Sequence, residues 1–313
     1  MKSISHRPLG RTGISVSEVG LGGWQLANPL WDSRGDDEAR QVVERAIEDG
    51  CDFFDTAPGY SDGRSEELLG QMLKPVRSRV TICTKFGHGA DGTNFDAAAI
   101  RPSLEASLRR LQTDYVDVLL LHNPPPELLD GAHAPQYEEL ERLKAEGKLR
   151  AYGVSLDHGH ELDAVVKTMR CGVVEVLFNV FHQEPLAACR RAAAAGIGVI
   201  VKVPLDSGWL SGKYRHDSRF VGVRERWKPE IIARRAALVE QLAALVPLGT
   251  SLAHAAIQYV LAQPEVSTVI PGAKTAEQAR DNLAAAGAVL PGKVARAIHA
   301  LWERELKNNP LPW

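Results

Sequence analysis

Eight short apolar segments, each followed by a helix-like segment, recur along the chain and restrict its possible folds. They read as brief buried strands that end at turn or polar residues. They occupy positions 16–21, 51–55, 80–85, 115–122, 149–155, 173–178, 197–203 and 266–270. Eight repeated strand–helix units predict one (β/α)8 barrel of parallel strands. A doubly wound open sheet is the alternative, but it needs Gly-x-Gly-x-x-Gly after the first strand, and Leu-Gly-Gly-Trp at positions 21–24 does not supply this.

Three additions to the barrel are expected. A small hairpin at positions 9–14 turns at Thr12-Gly13, a long irregular insertion at 204–229 follows strand seven, and a tail helix at 291–307 closes the chain. The other helices are expected at 36–49, with Asp36 as its cap, and at 65–70, 96–111, 135–146, 158–168, 185–195, 230–245, 251–262 and 275–286. Because no Pro-, Ser- or Gly-rich linker divides the chain, residues 1–313 are expected to form a single domain.

Charge and cysteine content argue against several classes of function. With a formal net charge of −2 over 313 residues, the chain lacks the electrostatic footprint of a nucleic-acid-binding protein. No apolar run reaches the roughly 18 residues that a membrane span needs, and the N-terminus has no apolar signal core. The four cysteines form no Cys-x-x-Cys pair, so we expect reduced, mostly buried thiols and a cytoplasmic location.

Polar side chains end three consecutive predicted strands. Asp55, Lys85 and His122 end strands two, three and four, and Tyr60 follows Asp55 after a Pro-Gly turn. Because the carboxyl ends of parallel strands meet on one face of a barrel, we expect the four side chains to share a pocket. Asp55 would keep Lys85 charged, and the ammonium would lower the pKa of Tyr60. His122 could hydrogen-bond the incoming oxygen or pass a proton to it, so this set suits proton delivery to a carbonyl oxygen that gains negative charge from a hydride donor.

Other interpretations of these residues stay open. Each side chain alone has a structural role available, as a helix cap, a loop cap, a packing group or a solvated lysine. A Schiff-base lyase would also use Lys85, although it needs that lysine partly deprotonated and the expected Asp55 neighbour opposes this. A metal site on His122 is disfavoured because His158 and His160 are only two positions apart and no histidine–carboxylate cluster has ligand spacing. No metal is therefore expected.

Four segments resemble motifs of the aldo-keto reductase family, in order and over nearly the whole chain. They are positions 54–70, which begin Phe-Asp-Thr-Ala-Pro-Gly-Tyr, 119–124, 204–214, and 266–274 with Gln278, Asp281 and Asn282. The resemblance implies a barrel that binds a nicotinamide dinucleotide without a Rossmann fold and transfers hydride between it and an aldehyde or ketone. It implies Tyr60 as the acid, with Lys85 and Asp55 as its tuning pair. It also implies His122 as the orienting group.

The resemblance also implies binding residues. Those expected at the cofactor are Gly23, Trp24, Asp55, Ser155, Glu175, Lys202, Pro204, Leu205, Ser207, Leu210, Gly272, Lys274, Gln278, Asp281 and Asn282. Those expected at a small-molecule carbonyl substrate are Trp24, Tyr60, His122 and Asn123. Lys274 is placed to meet a 2′-phosphate, so NADPH is expected, with NADH as the alternative. Two alternative functions stay open: an NAD-dependent sugar or alcohol dehydrogenase working in the oxidative direction, and a cofactor-binding regulatory protein.

Three positions depart from the commonest pattern of the family. Ser155-Leu156 stands where Ser-Asn is usual, which resembles a bacterial-type branch. Glu175 replaces a glutamine, and Lys202 replaces the tyrosine that usually stacks on the nicotinamide. We hypothesise that Glu175 and Lys202, at the ends of adjacent strands, form a buried ion pair, because either charge alone would be costly there.

Aromatic side chains are expected to form the walls of the substrate pocket. The candidates are Trp24, Trp31, Trp209 and Trp227, with the 123–136 loop, the 206–228 insertion and the tail near Trp313. Such a cleft suits a neutral carbonyl compound. A sugar aldehyde, an aryl aldehyde and a steroid-like ketone all stay open as its substrate.

Overall fold

The computed structural model describes residues 4–31, 35–89, 92–129, 135–168 and 170–312. In this part of the chain, eight parallel strands form one sheet and lie side by side in chain order. We number them one to eight: Leu21–Gly22, Phe53–Asp55, Thr81–Phe86, Val116–His122, Leu149–Leu156, Val173–Leu177, Gly198–Lys202 and Thr268–Val269. The predicted strand–helix alternation and the (β/α)8 fold are confirmed.

Backbone hydrogen bonds between strands one and eight close the sheet into a barrel. The amide of Gly20 donates to the carbonyl of Val269 at 2.9 Å, and the amide of Val269 donates to Glu18 at 3.0 Å. The amide of Gly22 donates to Pro271 at 3.2 Å. Closure satisfies the polar groups that an open sheet would leave at its two edges. It also turns the carboxyl ends of all eight strands toward one mouth.

Helices cover the outside of the barrel. The described helices are Asp36–Glu48, Arg64–Leu73, Ala97–Leu111, Pro135–Ala145, Gly159–Thr168, Leu186–Ala194, Pro229–Ala243, Leu252–Leu261, Ala276–Leu283 and Gly292–Glu305. Asp36 is not the cap predicted for the first of them, because Gly35 takes the cap position and the Asp36 carboxylate pairs with Arg64 instead. A second small hairpin, His88–Gly89 with Gly92–Thr93, lies beside the barrel mouth and was not predicted.

The N-terminal hairpin packs against the amino ends of the barrel strands. His6–Pro8 pairs antiparallel with Ser15–Ser17, so these residues belong to the hairpin and the prediction that strand one begins at position 16 is wrong. Side chains of the hairpin continue the apolar cluster inside the barrel, whose members are Leu9, Ile14, Val16, Phe53, Cys83, Val118, Leu120, Ala151, Val173, Ile200 and Ile270. The inside is therefore apolar at that end, and its buried charges lie at the other end.

The insertion after strand seven folds around its own aromatic side chains. The ring centroids of Trp209 and Trp227 lie 5.9 Å apart, and Phe220 packs on both. Trp209 is 0% exposed and Trp227 6%, so the prediction that these two tryptophans form walls of the substrate pocket is wrong. They instead anchor the insertion in the apolar core. All four cysteines are unpaired and buried, as predicted. Among the described helices, none combines the length and apolar character that crossing a membrane requires.

Candidate active site

Asp55, Lys85 and Tyr60 are in contact at the carboxyl ends of strands two and three. Strand two ends at Asp55, which lies opposite Cys83 in the register, so Lys85 extends two residues further up the barrel. The Lys85 ammonium donates to both Asp55 carboxylate oxygens at 2.6 Å and lies 3.4 Å from the Tyr60 hydroxyl. The lysine side chain is 0% exposed, so these contacts replace its hydration.

Tyr60 is held in a ring of aromatic neighbours above Lys85. Its ring stacks on Trp24 with centroids 6.2 Å apart. The His122 ring meets it edge-on, with centroids 6.0 Å apart. The next contact of His122 is the His88 ring at 5.2 Å. Asp55, Lys85, Tyr60 and His122 therefore come together at one mouth of the barrel.

Glu175 adds a second carboxylate to this cluster. Its Oε2 lies 3.5 Å from the Lys85 ammonium, and its Oε1 accepts a hydrogen bond from the Ser155 hydroxyl at 2.9 Å. Ser155 and Glu175 lie directly opposite each other in strands five and six, which brings the two side chains to the same height in the barrel. Lys85 thus lies between two buried carboxylates rather than beside one.

The hypothesised direct ion pair between Glu175 and Lys202 is wrong. Within the described residues, Lys202 pairs with the Asp157 carboxylate at 2.9 Å and donates to the Asn123 side chain at 3.0 Å. Its ammonium also donates to the Ser155 hydroxyl at 2.8 Å, so Ser155 bridges the two charges. The cause is the register, since Lys202 lies opposite Leu177, two residues above Glu175.

Burial and mutual repulsion separate the pKa values of the two carboxyl groups. Burial is the largest cause that raises the pKa of Asp55, and the Glu175 carboxylate is the next. The Lys85 ammonium opposes both, and the pKa is raised to about 8. Burial also acts to raise the pKa of Glu175, but Lys85 and Lys202 together hold it below its ordinary value. Burial alone would lower the pKa of Lys85, whereas the two carboxylates hold it well above its ordinary value. Lys85 is therefore the cation of the cluster, and of the two carboxyl groups Asp55 takes up a proton more readily than Glu175.

Tyr60 and His122 are both neutral at pH 7. Burial raises the pKa of Tyr60, and Asp55 and Glu175 add to the effect of burial, so the single ammonium of Lys85 does not compensate. The predicted lowering of this pKa is therefore wrong. Burial, Lys85 and Lys202 hold the pKa of His122 well below its usual range. The phenol of Tyr60 can donate a proton, and the neutral imidazole of His122 can act as a hydrogen-bond donor through its one N–H group.

A cavity of about 880 Å³ opens from this cluster toward the loops after strands seven and eight. Of the expected site residues, the ones that line it are Trp24, Asp55, Tyr60, His122, Asn123, Glu175, Lys202, Pro204, Leu205, Ser207, Gly272, Lys274, Gln278, Asp281 and Asn282. Lys85 and Ser155 are buried behind its wall, in contact with residues that line it. Gly23 and Leu210 are also buried and are not among the described lining residues. Trp31 lines the cavity, whereas Trp313 and positions 130–134 lie outside the described residues.

Several lining residues were missed in the sequence. They are Gly22, Gln25, Gly59, His88, Asp157, Val203, Gly208, Ser211, Lys213, Tyr214, Arg224, Arg226, Ser251, Ala253, Ile270 and Pro271. Asp157 directly follows the last residue of strand five. Its place at a strand end is the same signal in the sequence that pointed to Asp55. Those between 208 and 226 fall in the insertion that was expected to form a wall, but no periodic pattern separates the inward-facing side chains there.

Cationic side chains in the cavity wall suit a phosphorylated cofactor. Lys213, Arg224, Arg226 and Lys274 line the cavity, and so do residues at the amino ends of the helices Leu252–Leu261 and Ala276–Leu283. Free backbone amides and the helix dipole make such ends favourable for phosphate oxygens. The Gln278 side chain accepts from the backbone amide of Lys274 at 2.9 Å, which orders this wall. A cavity whose wall holds a proton donor and several cations fits a nicotinamide dinucleotide in size and in chemistry.

Comparison with known proteins identifies the family. The model of the aldo/keto reductase family matches residues 18–303. L-galactose dehydrogenase from Arabidopsis thaliana is 34% identical over 299 residues, covering 91% of this chain and 89% of that protein. NADH-specific methylglyoxal reductase from Escherichia coli (strain K12) is 30% identical over 314 residues, covering 91% and 93%. A holo-form aldo-keto reductase structure from Bacillus halodurans superposes with a TM-score of 0.80 at 28% identity, covering 95% and 96%. The chain therefore belongs to the aldo-keto reductase family and is an NAD(P)H-dependent oxidoreductase.

Proposed function

We propose that the chain reduces an aldehyde or ketone to the alcohol, with Tyr60 as the proton donor and NADPH as the preferred cofactor. The observation that carries the proposal is the position of the Tyr60 hydroxyl, which is protonated at neutral pH and lies 3.4 Å from the Lys85 ammonium beside the cavity. When bound, the reduced nicotinamide supplies the hydride. Tyr60 donates its proton to the substrate oxygen, and Lys85 stabilises the phenolate that remains.

The residues around Tyr60 would orient the substrate. Trp24, Trp31 and His88 line the cavity beside it and offer apolar ring faces to a neutral carbonyl compound. His122 is uncharged and its ring lies edge-on to Tyr60, so a proton on its Nε2 would be donated to the same substrate oxygen. Two neutral donors at one oxygen stabilise the negative charge that develops there.

The cofactor would lie along the cavity away from Tyr60. Ser155, Asn123 and Lys202 form a hydrogen-bonded group at the barrel mouth, where a nicotinamide amide has polar partners. Lys274 supports NADPH because it is a cation on the cavity wall, where a 2′-phosphate would be matched by charge.

The test is reduced-cofactor consumption with a simple aromatic aldehyde, comparing NADPH with NADH, in wild type and Tyr60→Phe. We expect kcat/KM with NADPH to fall by at least about 100-fold in Tyr60→Phe, because a proton donor is lost. Cofactor affinity, measured by fluorescence quenching, should be unchanged in that variant. Undiminished activity of Tyr60→Phe would refute the assignment of the acid, and a preference for NADH would refute the role of Lys274.

A second candidate is the oxidation of a sugar or other alcohol, and Glu175 favours it. Its carboxylate lines the cavity and stays ionised, and a negative charge there favours an oxidised, positively charged nicotinamide. The similarity to an L-galactose dehydrogenase supports the same direction. Oxidation of aldoses with NADP⁺ or NAD⁺ at a higher kcat/KM than aldehyde reduction would establish this alternative.

A further inference from the structure

A cluster of metal-binding side chains lies beyond the carboxyl ends of strands five and six. One ring nitrogen of His158, one of His182 and one carboxylate oxygen of Glu184 lie within 4.8 Å of one another. Among the described residues, these three are outside the set that lines the cavity. The two histidines are 24 positions apart in the sequence, which hides the cluster from a search for local ligand spacing.

The position and protonation of His182 are set by its surroundings. The Asn179 side chain accepts from the His182 amide at 3.0 Å, and the backbones of these two residues exchange a pair of hydrogen bonds at 3.1 Å. The His182 Nε2 lies 3.2 Å from the carbonyl oxygen of Asp157. Because a carbonyl can only accept, Nε2 carries the proton and Nδ1 keeps its lone pair. A histidine fixed in this way by its second nitrogen is typical of metal ligands.

The other two side chains stand on ordered backbone. The second carboxylate oxygen of Glu161 caps the turn before the helix Gly159–Thr168 by accepting from the amides of Asp157 and His158, at 3.0 and 2.8 Å. Glu184 Oε2 accepts from the Gly159 amide at 2.8 Å, which holds this carboxylate against the same turn. His158 is exposed, so its ring can rotate toward the other two groups.

The chemistry of this donor set selects a class of ion. Two imidazole nitrogens and one carboxylate oxygen are ligands that Zn²⁺ binds at about 2.0–2.2 Å, which puts tetrahedral ligand atoms about 3.4 Å apart. The present separations are up to 4.8 Å, so binding would draw the three side chains closer, and the exposed His158 ring has room to move.

We propose that His158, His182 and Glu184 form a binding site for a divalent transition-metal ion such as Zn²⁺, with water as the remaining ligand. The ion would link the turn after strand five, which carries His158, to the turn after strand six, which carries His182 and Glu184. The carbonyl that orients His182 belongs to Asp157, whose carboxylate pairs with Lys202 at the cavity. The site would therefore stiffen the segment that holds this cavity residue. It requires no property of the proposed reaction.

The test is a Zn²⁺ titration of the untagged, chelator-treated full chain against a chromophoric zinc indicator. We expect one equivalent to bind with micromolar affinity. His182→Gln, which keeps a hydrogen-bond donor for Asp157, and Glu184→Gln should each weaken binding at least about 10-fold. His216→Gln, at an exposed histidine of the insertion, is the matched control and should bind as wild type does.

Co²⁺ offers a second measurement that does not depend on affinity. Its visible absorption reports the ligands and the geometry, and we expect a low-coordinate nitrogen and oxygen spectrum that His158→Gln changes. Absence of stoichiometric Zn²⁺ binding in wild type would overturn the proposal. Equal binding by wild type, His182→Gln and Glu184→Gln would also overturn it. Unchanged circular dichroism of each variant is required, so that a loss of binding reflects a lost ligand rather than misfolding.

Discussion

Replacing Glu175 with glutamine removes one of the two carboxylates that share the Lys85 ammonium. One carboxylate oxygen of Asp55 and one of Glu175 lie within 4.8 Å of each other. At an effective dielectric constant of about 20, two like charges at that distance repel by about 3.5 kcal/mol, which is roughly 2.5 pH units. Burial and Glu175 raise the pKa of Asp55 to about 8 in wild type, so we expect this pKa to fall by about two units in Glu175→Gln.

The assay is a titration of the Asp55 carboxyl carbon by NMR in aspartate-labelled protein without cofactor. Glu66→Gln is the matched control. Glu66 is also a buried carboxylate, but it bonds to Thr84 and Arg110, and Thr84 points to the opposite side of strand three from Lys85. We expect Asp55 to titrate in that control as in wild type. An Asp55 pKa that stays within about half a unit of wild type in Glu175→Gln would refute the repulsion argument.

The same variant should change how stability depends on pH. Asp55 has a raised pKa in the folded state, so its unfavourable contribution grows as pH rises from the unfolded value of 3.8 to about 8. In Glu175→Gln this unfavourable contribution should stop growing at a pH about two units lower. Between about pH 6 and pH 8, the free energy of unfolding should therefore decrease less with pH in the variant than in wild type. Parallel urea denaturation curves across this interval for the two proteins would contradict the prediction.

Two further substitutions test the buried charges and the strand packing of the barrel. Lys85→Met removes the cation between two buried carboxyl groups and should cost about 3–5 kcal/mol of unfolding free energy near pH 7. The loss should be smaller near pH 4, because the carboxylates protonate. Urea unfolding that shows the same loss at both pH values would contradict this. Gly153→Ala would put a Cβ 1.7 Å from the Val173 carbonyl oxygen and force strands five and six apart, so thermal unfolding should show a loss of more than about 4 kcal/mol. Gly89→Ala is the control, because nothing lies within 4 Å of its new Cβ. It should change the free energy of unfolding by less than about 0.5 kcal/mol, and a larger change would contradict the packing argument.

The grouping of polar side chains at the barrel mouth could be anticipated because it follows from topology. Once the alternation of strands and helices indicates a parallel barrel, every strand must end on the same side. Asp55 and His122 end two such strands and Lys85 stands one residue before the end of a third, so their meeting requires no knowledge of side-chain contacts. Lys274 and Gln278 line the cavity, and they were expected there because their segment resembles a motif of the family.

Side-chain partners and their electrostatic consequences were not readable from the sequence. Glu175 was expected to pair with Lys202, but a two-residue offset between strands gives it Lys85 and leaves Ser155 as the bridge. The direction of the pKa shift of Tyr60 depends on that outcome. It reflects the balance between burial, two carboxylates and one ammonium at particular distances.

The sequence by itself indicated the barrel, its strand–helix alternation and the polar residues at or near the strand ends, because periodicity and turn residues act over a few positions. Tertiary structure decided which of those residues touch. The shared ammonium of Lys85, the core position of Trp209 and the approach of His158 to His182 all depend on how distant segments are brought together. Interactions between charges change steeply over a few ångströms, and distances of that size are set only when the barrel closes.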